Sequence, residues 1–512
     1  MSDSVINAII AVPPAAGRRI SFLRLDGASS CELTELHATA ERLARGLRDL
    51  GIGRGDRIGI LAANSIEWVL LDLAALRLGA VTAGFEPGKF DPDAALLTRY
   101  ALAVLFTDRQ AVGQGIRSVA EVTSLIENAD PASPLPAVEY QPADVTTIKF
   151  TSGSTGEPKG LAATAGSIDD SINAVQQMFG HRESDNVLVF LPLSLLQQRY
   201  WIYSALRFGH DITVSTYEAA FAALRRAAPT VVMGVPAFYE TAKKHIERAA
   251  ARGAAGAAQA GALRAAAEGL FGDRIRYLWT GSAPARPSML RFFTEIGMPV
   301  YEGYGLNETC IVSKNYPGAH REGSVGRVLS GKKVLIDAGG AISVRSEHPV
   351  NWRYEYAAPG ESERVFGEDG TVRTGDLGYI DDDGFLFIRG RADDVIVLDN
   401  GKKIIVRPLE EYLKASPAIE ECVVFCPTQT HLVAVVSPAG DTTDEKAINA
   451  RLASANATFS RDEQIRDIVI ARERFSVANG MLTTQFKPRR QQILQAYWNP
   501  VTAGQPGNRD AG

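Results

Sequence analysis

Apolar and polar positions change their period several times along the chain, and each change marks an element. Residues 33–50 set Leu36, Leu43, Leu47 and Leu50 on one face at helical spacing, with Gly51 behind as a stop. A strand is expected at 57–61. A helix follows, capped by Asn64 with Glu67 three residues on and closed by Gly79, and then a strand at 80–83. The alternation runs on through strands at 101–107 and 145–150, a helix at 167–179, strands at 186–190 and 212–214, and a further unit from 230. Buried strands are expected at 274–280 and 299–302. Short apolar runs separated by helical stretches imply βαβ units and a mostly parallel sheet. Ahead of them, 21–30 reads as a hairpin. Residues 249–269, almost all Ala, Gly, Arg and Gln, suit a surface helical hairpin or a partly disordered excursion.

The texture changes twice more. From 323 to about 383, short β-rich runs with Gly and Asp turns suggest a small barrel or meander. Beyond 391 the runs at 395–398, 409–415, 419–426, 431–437 and 444–455 alternate strand and helix as a separate α+β unit. The expected fold class is α/β. Residues 1–390 form a large N-terminal domain of βαβ sheets with the small barrel at about 323–389. Residues 391–499 form a small C-terminal domain, and 500–512 a disordered Pro/Gly tail.

Composition removes several classes. The 512 residues are 46% hydrophobic and 22% charged, with ample core material for more than one domain. A formal net charge of −5 without a basic block argues against nucleic-acid binding. Cys31, Cys310, Cys422 and Cys426 form no C-x-x-C pair, so neither a zinc ribbon nor a disulfide scaffold is indicated. Cys422 and Cys426 fall in an apolar strand-like run and are expected as buried thiols. The longest apolar stretch, 68–85, is broken by Asp72 and Arg77, which argues against a membrane span. The N-terminus lacks a basic region, so no signal peptide is expected and the reducing cytoplasm is the default.

The chemistry concentrates in a few loops. Thr151-Ser152-Gly153-Ser154-Thr155-Gly156-Glu-Pro-Lys159-Gly160 follows a buried strand. Its glycines let backbone N–H groups approach a bulky anion, its hydroxyls donate to phosphate oxygens, and Lys159 adds charge. A flexible Ser/Gly linker has the same composition. The spacing is not that of the G-x-x-x-x-G-K-[ST] loop. Gly51-Ile-Gly-Arg-Gly-Asp56 precedes a strand and reads as a turn. Tyr301-Glu-Gly-Tyr304-Gly305-Leu-Asn-Glu308-Thr309 offers an aromatic for a flat base, a carboxylate for Mg²⁺ and a hydroxyl for phosphate. Read in isolation, a strand-end turn with a core tyrosine is the favoured explanation. Asp376, in Arg373-Thr-Gly-Asp376, can accept two vicinal hydroxyls, or be a surface residue in a turn.

Taken in order, these segments resemble the adenylate-forming superfamily of acyl-CoA synthetases, luciferases and peptide-synthetase adenylation domains. The resemblance runs from about residue 33 to 490. It implies that Thr151 to Gly156 and Lys159 hold phosphates and that Gly281-Ser282-Ala283 walls the adenine and acyl pockets. It places Tyr304 and Gly305 at adenine, Glu308 on Mg²⁺, Thr309 on the α-phosphate, and Asp376 on ribose with Arg391. Asn307 stands where Ser or Thr is usual. Asp393 is the implied hinge of a mobile C-terminal lid, Gly401 lies in the loop that faces CoA, and Lys487 is the implied catalytic lysine. The segment Leu191-Pro-Leu-Ser-Leu195-Leu-Gln-Gln198-Arg199 is similar to the L-P-L-A-H-x-x-E-R of long-chain synthetases. Leu195 replaces its histidine and Gln198 its glutamate, which points to an altered, more apolar pocket.

The resemblance implies ATP, Mg²⁺ and CoA, with a large hydrophobic acid (fatty, polyketide, terpenoid or aryl) converted to its acyl-adenylate and then its thioester. Transfer to a carrier-protein phosphopantetheine, a luciferase-like oxygenase and a silent adenylate binder are the alternatives. Monomer and homodimer are both open.

Overall fold

The computed structural model describes residues 4–110, 113–151, 158–253, 259–427, 429–440, 443–483 and 486–497. Two large sheets carry the N-terminal part. The first runs, edge to edge, Ile116–Ser118, Val104–Thr107, Arg57–Leu61, Val81–Gly84, Val145–Phe150 and Gly160–Thr164, parallel except for its last pair. The second has nine strands. Its centre, Val300–Leu306, Tyr277–Thr280, Val231–Gly234, Asn186–Val189 and Asp211–Ser215, is parallel, and antiparallel partners close both edges. The expected 21–30 hairpin is one of those edges, Arg19–Leu23 against Ala28–Glu32.

Between the sheets lies the helix Ile66–Leu78, buried at every position from 68 to 78. A helix covered on all sides loses the polar stripe of a surface helix. That explains why its sequence reads as one apolar stretch despite Asp72 and Arg77. Its cap differs from expectation. Ser65 is the cap, its hydroxyl accepting from the Trp68 amide at 3.3 Å. Asn64 is drawn away by longer-range partners. It donates to the carbonyls of Leu191 and Ser215 at 2.9 and 2.8 Å and accepts from the Leu193 amide at 2.8 Å. One buried amide thus ties the 191–193 loop to the first sheet.

The Ala/Gly-rich segment falls on two helices, Pro236–Gly253 and Gln259–Phe271, with 254–258 outside the described residues. Ala267 and Phe271 are fully buried against the second sheet's core, so the second helix is built in rather than an excursion. The 323–383 region holds a four-stranded antiparallel meander, Lys332–Ile336, Ala341–Ser346, Thr371–Ile380 and Leu386–Arg391.

Past Arg391, a three-stranded sheet (Ile419–Phe425, Leu432–Pro438, Ile465–Ile470) is covered on both faces. Cys422 and Val424 pack on one side with Leu409, Leu413 and Ile448. Val423 and Phe425 pack on the other with Phe475 and Ile493. Two covered faces remove the polar alternation of a half-exposed strand. Cys422 is buried as expected, but Cys426 lies past the strand end and is only partly covered. Among the described residues, no helix is long and apolar enough to cross a membrane.

Candidate active site

Four segments meet along one cleft. The strand Val145–Phe150 delivers Thr151, whose amide donates to the Lys159 carbonyl at 2.9 Å while its hydroxyl accepts from the Lys159 amide at 3.3 Å. These two bonds close the base of the expected phosphate loop. Ser152, Gly153, Ser154, Thr155 and Gly156 lie outside the described residues. Lys159 Nζ pairs with Glu361 at 2.8 Å and stands 4.9 Å from the ring centroid of Tyr354. The pairing with Lys159 is the first cause that holds the Glu361 carboxyl below its ordinary range. Tyr354 in turn donates to Glu308 Oε1 at 2.7 Å. Burial, reinforced by the Glu308 charge, raises the Tyr354 phenol above its ordinary range.

The second segment is the turn between the antiparallel strands Val300–Leu306 and Cys310–Lys314. Gly305 is obligatory there, because a Cβ would stand 2.0 Å from the Cys310 carbonyl oxygen. The turn projects Tyr304 and Glu308 but folds Thr309 inward. Thr309 is 1% exposed. Its hydroxyl accepts from the Leu306 amide at 3.1 Å and donates to the Cys310 carbonyl at 3.1 Å. It stabilises the turn, and the structure does not present it to the cleft as the resemblance implies.

The third segment is the meander. Asp376 and Arg391 are cross-strand partners. Arg391 Nη1 donates to Asp376 Oδ1 at 3.0 Å and to the Thr374 carbonyl at 2.9 Å, and Tyr304 donates to Asp376 Oδ2 at 2.5 Å. Gly375, at φ +70°, leaves room for the guanidinium, since a Cβ would lie 2.8 Å from Arg391 Nη2. Both carboxylate oxygens are therefore engaged, and Asp376 is 6% exposed. Burial, then the Asp376 charge, raises the Tyr304 phenol.

The fourth comes from the far end of the chain. Lys487 closes a turn on Thr483, whose amide donates to the Lys487 carbonyl at 2.8 Å. The side chain keeps solvent contact yet stands in the field of Asp376, Arg391 and Glu308. Loss of water around it lowers its pKa from 10.5, Arg391 acts the same way, and Asp376 and Glu308 oppose them. Phe486 brings the turn against Tyr217, with ring centroids 6.0 Å apart. Arg286 donating to the Glu420 carbonyl and Lys244 pairing with Glu420 at 3.5 Å join the two parts of the chain beside it.

Gly281, Ser282 (φ +69°) and Ala283 follow the strand Tyr277–Thr280; the first two line a cavity with Tyr304 and Gly305. Gln198 and Leu191 line it too, whereas Arg199 is buried in an ion pair with Asp72 at 2.9 Å. Asp393 lies exposed in the turn Ala392–Asp394 directly after Arg391. Gly401 is apart, in an exposed turn at φ +80°, its neighbour Lys402 paired with Asp462 at 2.7 Å.

Tyr354 and Glu361 escaped the sequence reading. Tyr354 sits in an irregular stretch after Ser346 and Glu361 opens the short helix Glu361–Val365, with no motif spacing to mark either, and only the fold brings them to Glu308 and Lys159. Among the described residues, no group of three or more His, Cys, Asp or Glu side chains could hold a metal ion. Mg²⁺ does not need one. It commonly takes one or two carboxylates and fills its other positions with water and substrate phosphates, so the single carboxylate of Glu308 fits.

The sequence matches AMP-binding enzyme over residues 18–346 and AMP-binding enzyme C-terminal domain over 393–503. The long-chain-fatty-acid–CoA ligase FadD15 of Mycobacterium tuberculosis is 28% identical over 90% of each chain. A 2-succinylbenzoate–CoA ligase of Bacillus cereus is 26% identical over 76% of this chain and 78% of that protein. Among solved structures, an anthranilate CoA ligase, AuaEII, with anthranoyl-AMP superposes at TM-score 0.78 and 19% identity, covering 97% of this chain and 98% of that one. The o-succinylbenzoate CoA synthetase of Bacillus subtilis with ATP and magnesium superposes at 0.75 and 21%, covering 96% and 99%. The match extends over more than half of the chain, and the α/β fold agrees with it; the chain belongs to the AMP-binding, adenylate-forming enzymes.

Proposed function

We propose that this enzyme is an AMP-forming acid–thiol ligase that activates a carboxylic acid with ATP and passes the acyl group to CoA. The observation that supports this best is the position of Lys487. A lysine from the C-terminal part stands in the field of Asp376, Arg391 and Glu308 of the N-terminal part, as a two-domain adenylation site requires. The names of the CoA-ligase relatives agree with it.

In the first half-reaction the acid carboxylate attacks the α-phosphorus of ATP and pyrophosphate leaves. The protein's share is positioning and charge neutralisation. Asp376, held by Tyr304 and Arg391, accepts from the ribose hydroxyls. Lys159 leaves Glu361 for the phosphates, and the loop it closes cradles them. Glu308 would hold Mg²⁺, which supplies charge neutralisation between phosphate oxygens. Lys487 neutralises charge developing between the carboxylate and the α-phosphate. In the second half-reaction the chain pivots at Asp393, withdraws Lys487 and brings the Gly401 turn forward.

Acid-dependent ATP–pyrophosphate exchange tests this, followed by thioester formation with free CoA. Lys487→Ala should lower exchange about 10²–10³-fold while thioester formation from supplied acyl-adenylate continues. Undiminished exchange in Lys487→Ala would remove the assignment. Exchange without a CoA thioester would transfer the second step to a carrier-protein thiol.

A further inference from the structure

The cavity between the two large sheets bears on which acid is activated, a question that rests on the ligase reading above. Its interior volume is about 40 Å³, and it opens beside Gly281 and Tyr304, where that reading puts the adenylate. Its walls are partly bare backbone. A Cβ at Gly234 would stand 2.8 Å from the Tyr239 ring, and one at Gly303 2.5 Å from Lys314 Cδ.

Trp201 and Trp279 line the cavity as part of an aromatic block. Trp201 meets Trp279 edge-on at 5.1 Å, and Phe179 packs 5.1 Å from Trp279 and 4.4 Å from Tyr277. Trp279 is also held by a buried lysine. Lys314, fully covered, places Nζ 3.6 Å from its ring centroid and donates to the Thr280 and Tyr301 carbonyls at 2.9 and 2.6 Å. A long acyl chain could extend the cavity only by dismantling this packing, and close-packed interiors resist that.

Gln198 adds a chemical requirement. It is 6% exposed, it lines the cavity, and its Oε1 has no hydrogen-bond partner among the described residues. Buried amide oxygens are nearly always satisfied, so an orphan oxygen on a residue that lines a cavity asks its donor of a ligand.

We propose that the acid is a compact ring acid with a hydroxyl or amino donor for Gln198 Oε1, and not a fatty, polyketide or terpenoid acid, the larger members of the range that the resemblance implies. A site built to bond a substrate hydroxyl rejects the analogue that lacks it, because the site's own polar group is left buried and unpaired.

The test is ATP–pyrophosphate exchange by the full chain with the three hydroxybenzoates, benzoate and palmitate. At least one hydroxybenzoate should exceed benzoate by about tenfold or more in kcat/KM, with palmitate lowest. Gln198→Leu should collapse the hydroxybenzoate-to-benzoate ratio toward one. Should that variant fold poorly, quenching of Trp201 and Trp279 fluorescence in the unaltered protein gives the same ranking by affinity. Exchange with palmitate and none with the ring acids overturns the pocket assignment and leaves the ligase reading standing. No exchange with any acid overturns the ligase reading, and this assignment with it.

Discussion

Arg199→Met should destabilise the N-terminal part by about 3–5 kcal/mol, the usual effect of leaving one member of a buried ion pair without its partner. Arg199 and Asp72 have side chains 1% and 4% exposed, and Nη1 lies 2.9 Å from Oδ1. Nη1 also donates to Thr82 at 3.2 Å and Nη2 to Thr147 at 3.0 Å. Asp72 accepts from Thr82 at 2.9 Å and Tyr203 at 2.5 Å. Four elements meet here: the helices Ile66–Leu78 and Leu196–Phe208 and the strands Val81–Gly84 and Val145–Phe150. After the substitution Asp72 keeps two hydroxyl donors but loses its cation, so the full cost of a buried carboxylate appears. Adding Asp72→Asn removes the charge and retains an acceptor oxygen for one of the two hydroxyls, while its NH2 can donate to the other. The double variant should recover about 2 kcal/mol or more, the more readily because Arg199 Nε is itself buried without a partner among the described residues. Urea unfolding followed by the fluorescence of Trp68 and Trp201 measures each corner of the cycle. A single-variant cost below about 1 kcal/mol, or strictly additive penalties, would refute the reasoning. The strand Val145–Phe150 ends at the phosphate loop, so exchange should fall in Arg199→Met and return in the double variant.

Other expectations follow from the same geometry. Gly305→Ala puts a Cβ 2.0 Å from the Cys310 carbonyl, where backbone must move; exchange should drop sharply, and a fully active, equally stable variant would contradict the turn geometry. Glu302 is buried on the Ala285 amide, and desolvation lifts its pKa from 4.5 to about 7. The folded state therefore holds this proton more tightly than the unfolded chain. Stability is lost as pH rises from about 4.5 to 7, by about 3 kcal/mol in all. Glu302→Gln should flatten that part of the profile, checked by denaturation midpoints at pH 5 and 8. Lys487 must be cationic and its pKa is lowered, so exchange should decline on the alkaline side with a midpoint below 10.5. Asp376→Ala should raise KM for ATP about tenfold or more, the scale of a lost charge-assisted bond, while KM for the acid changes little.

The elements visible in the sequence were those whose cause is local. The apolar period and the glycine stops depend on neighbours a few residues away, and so do the hydroxyl-rich loop after Phe150 and the Tyr304–Glu308 turn. Even there, a cap depends on competition. Asn64 and Ser65 are both good caps, and Asn64 loses the role only because carbonyls at 191 and 215 reach it. Thr309 is similar: a hydroxyl beside a metal-type carboxylate reads as a ligand until the turn supplies it with Leu306 and Cys310.

The chain's order of motifs by itself determined the family, the α/β class and the cluster of Lys159, Glu308, Asp376, Arg391 and Lys487 as one set. The tertiary structure alone decided how those groups are held. Tyr354 links Lys159 to Glu308 and Glu361 pairs with Lys159, Arg199 is committed to Asp72, and Trp201 and Trp279 line the cavity with Gln198. The physical reason is the range of the interactions. Backbone preference and periodicity are written within a turn or two of the chain. A buried charge, an orphan amide or a cavity wall is defined by residues from tens to more than a hundred positions apart, and only packing brings them together.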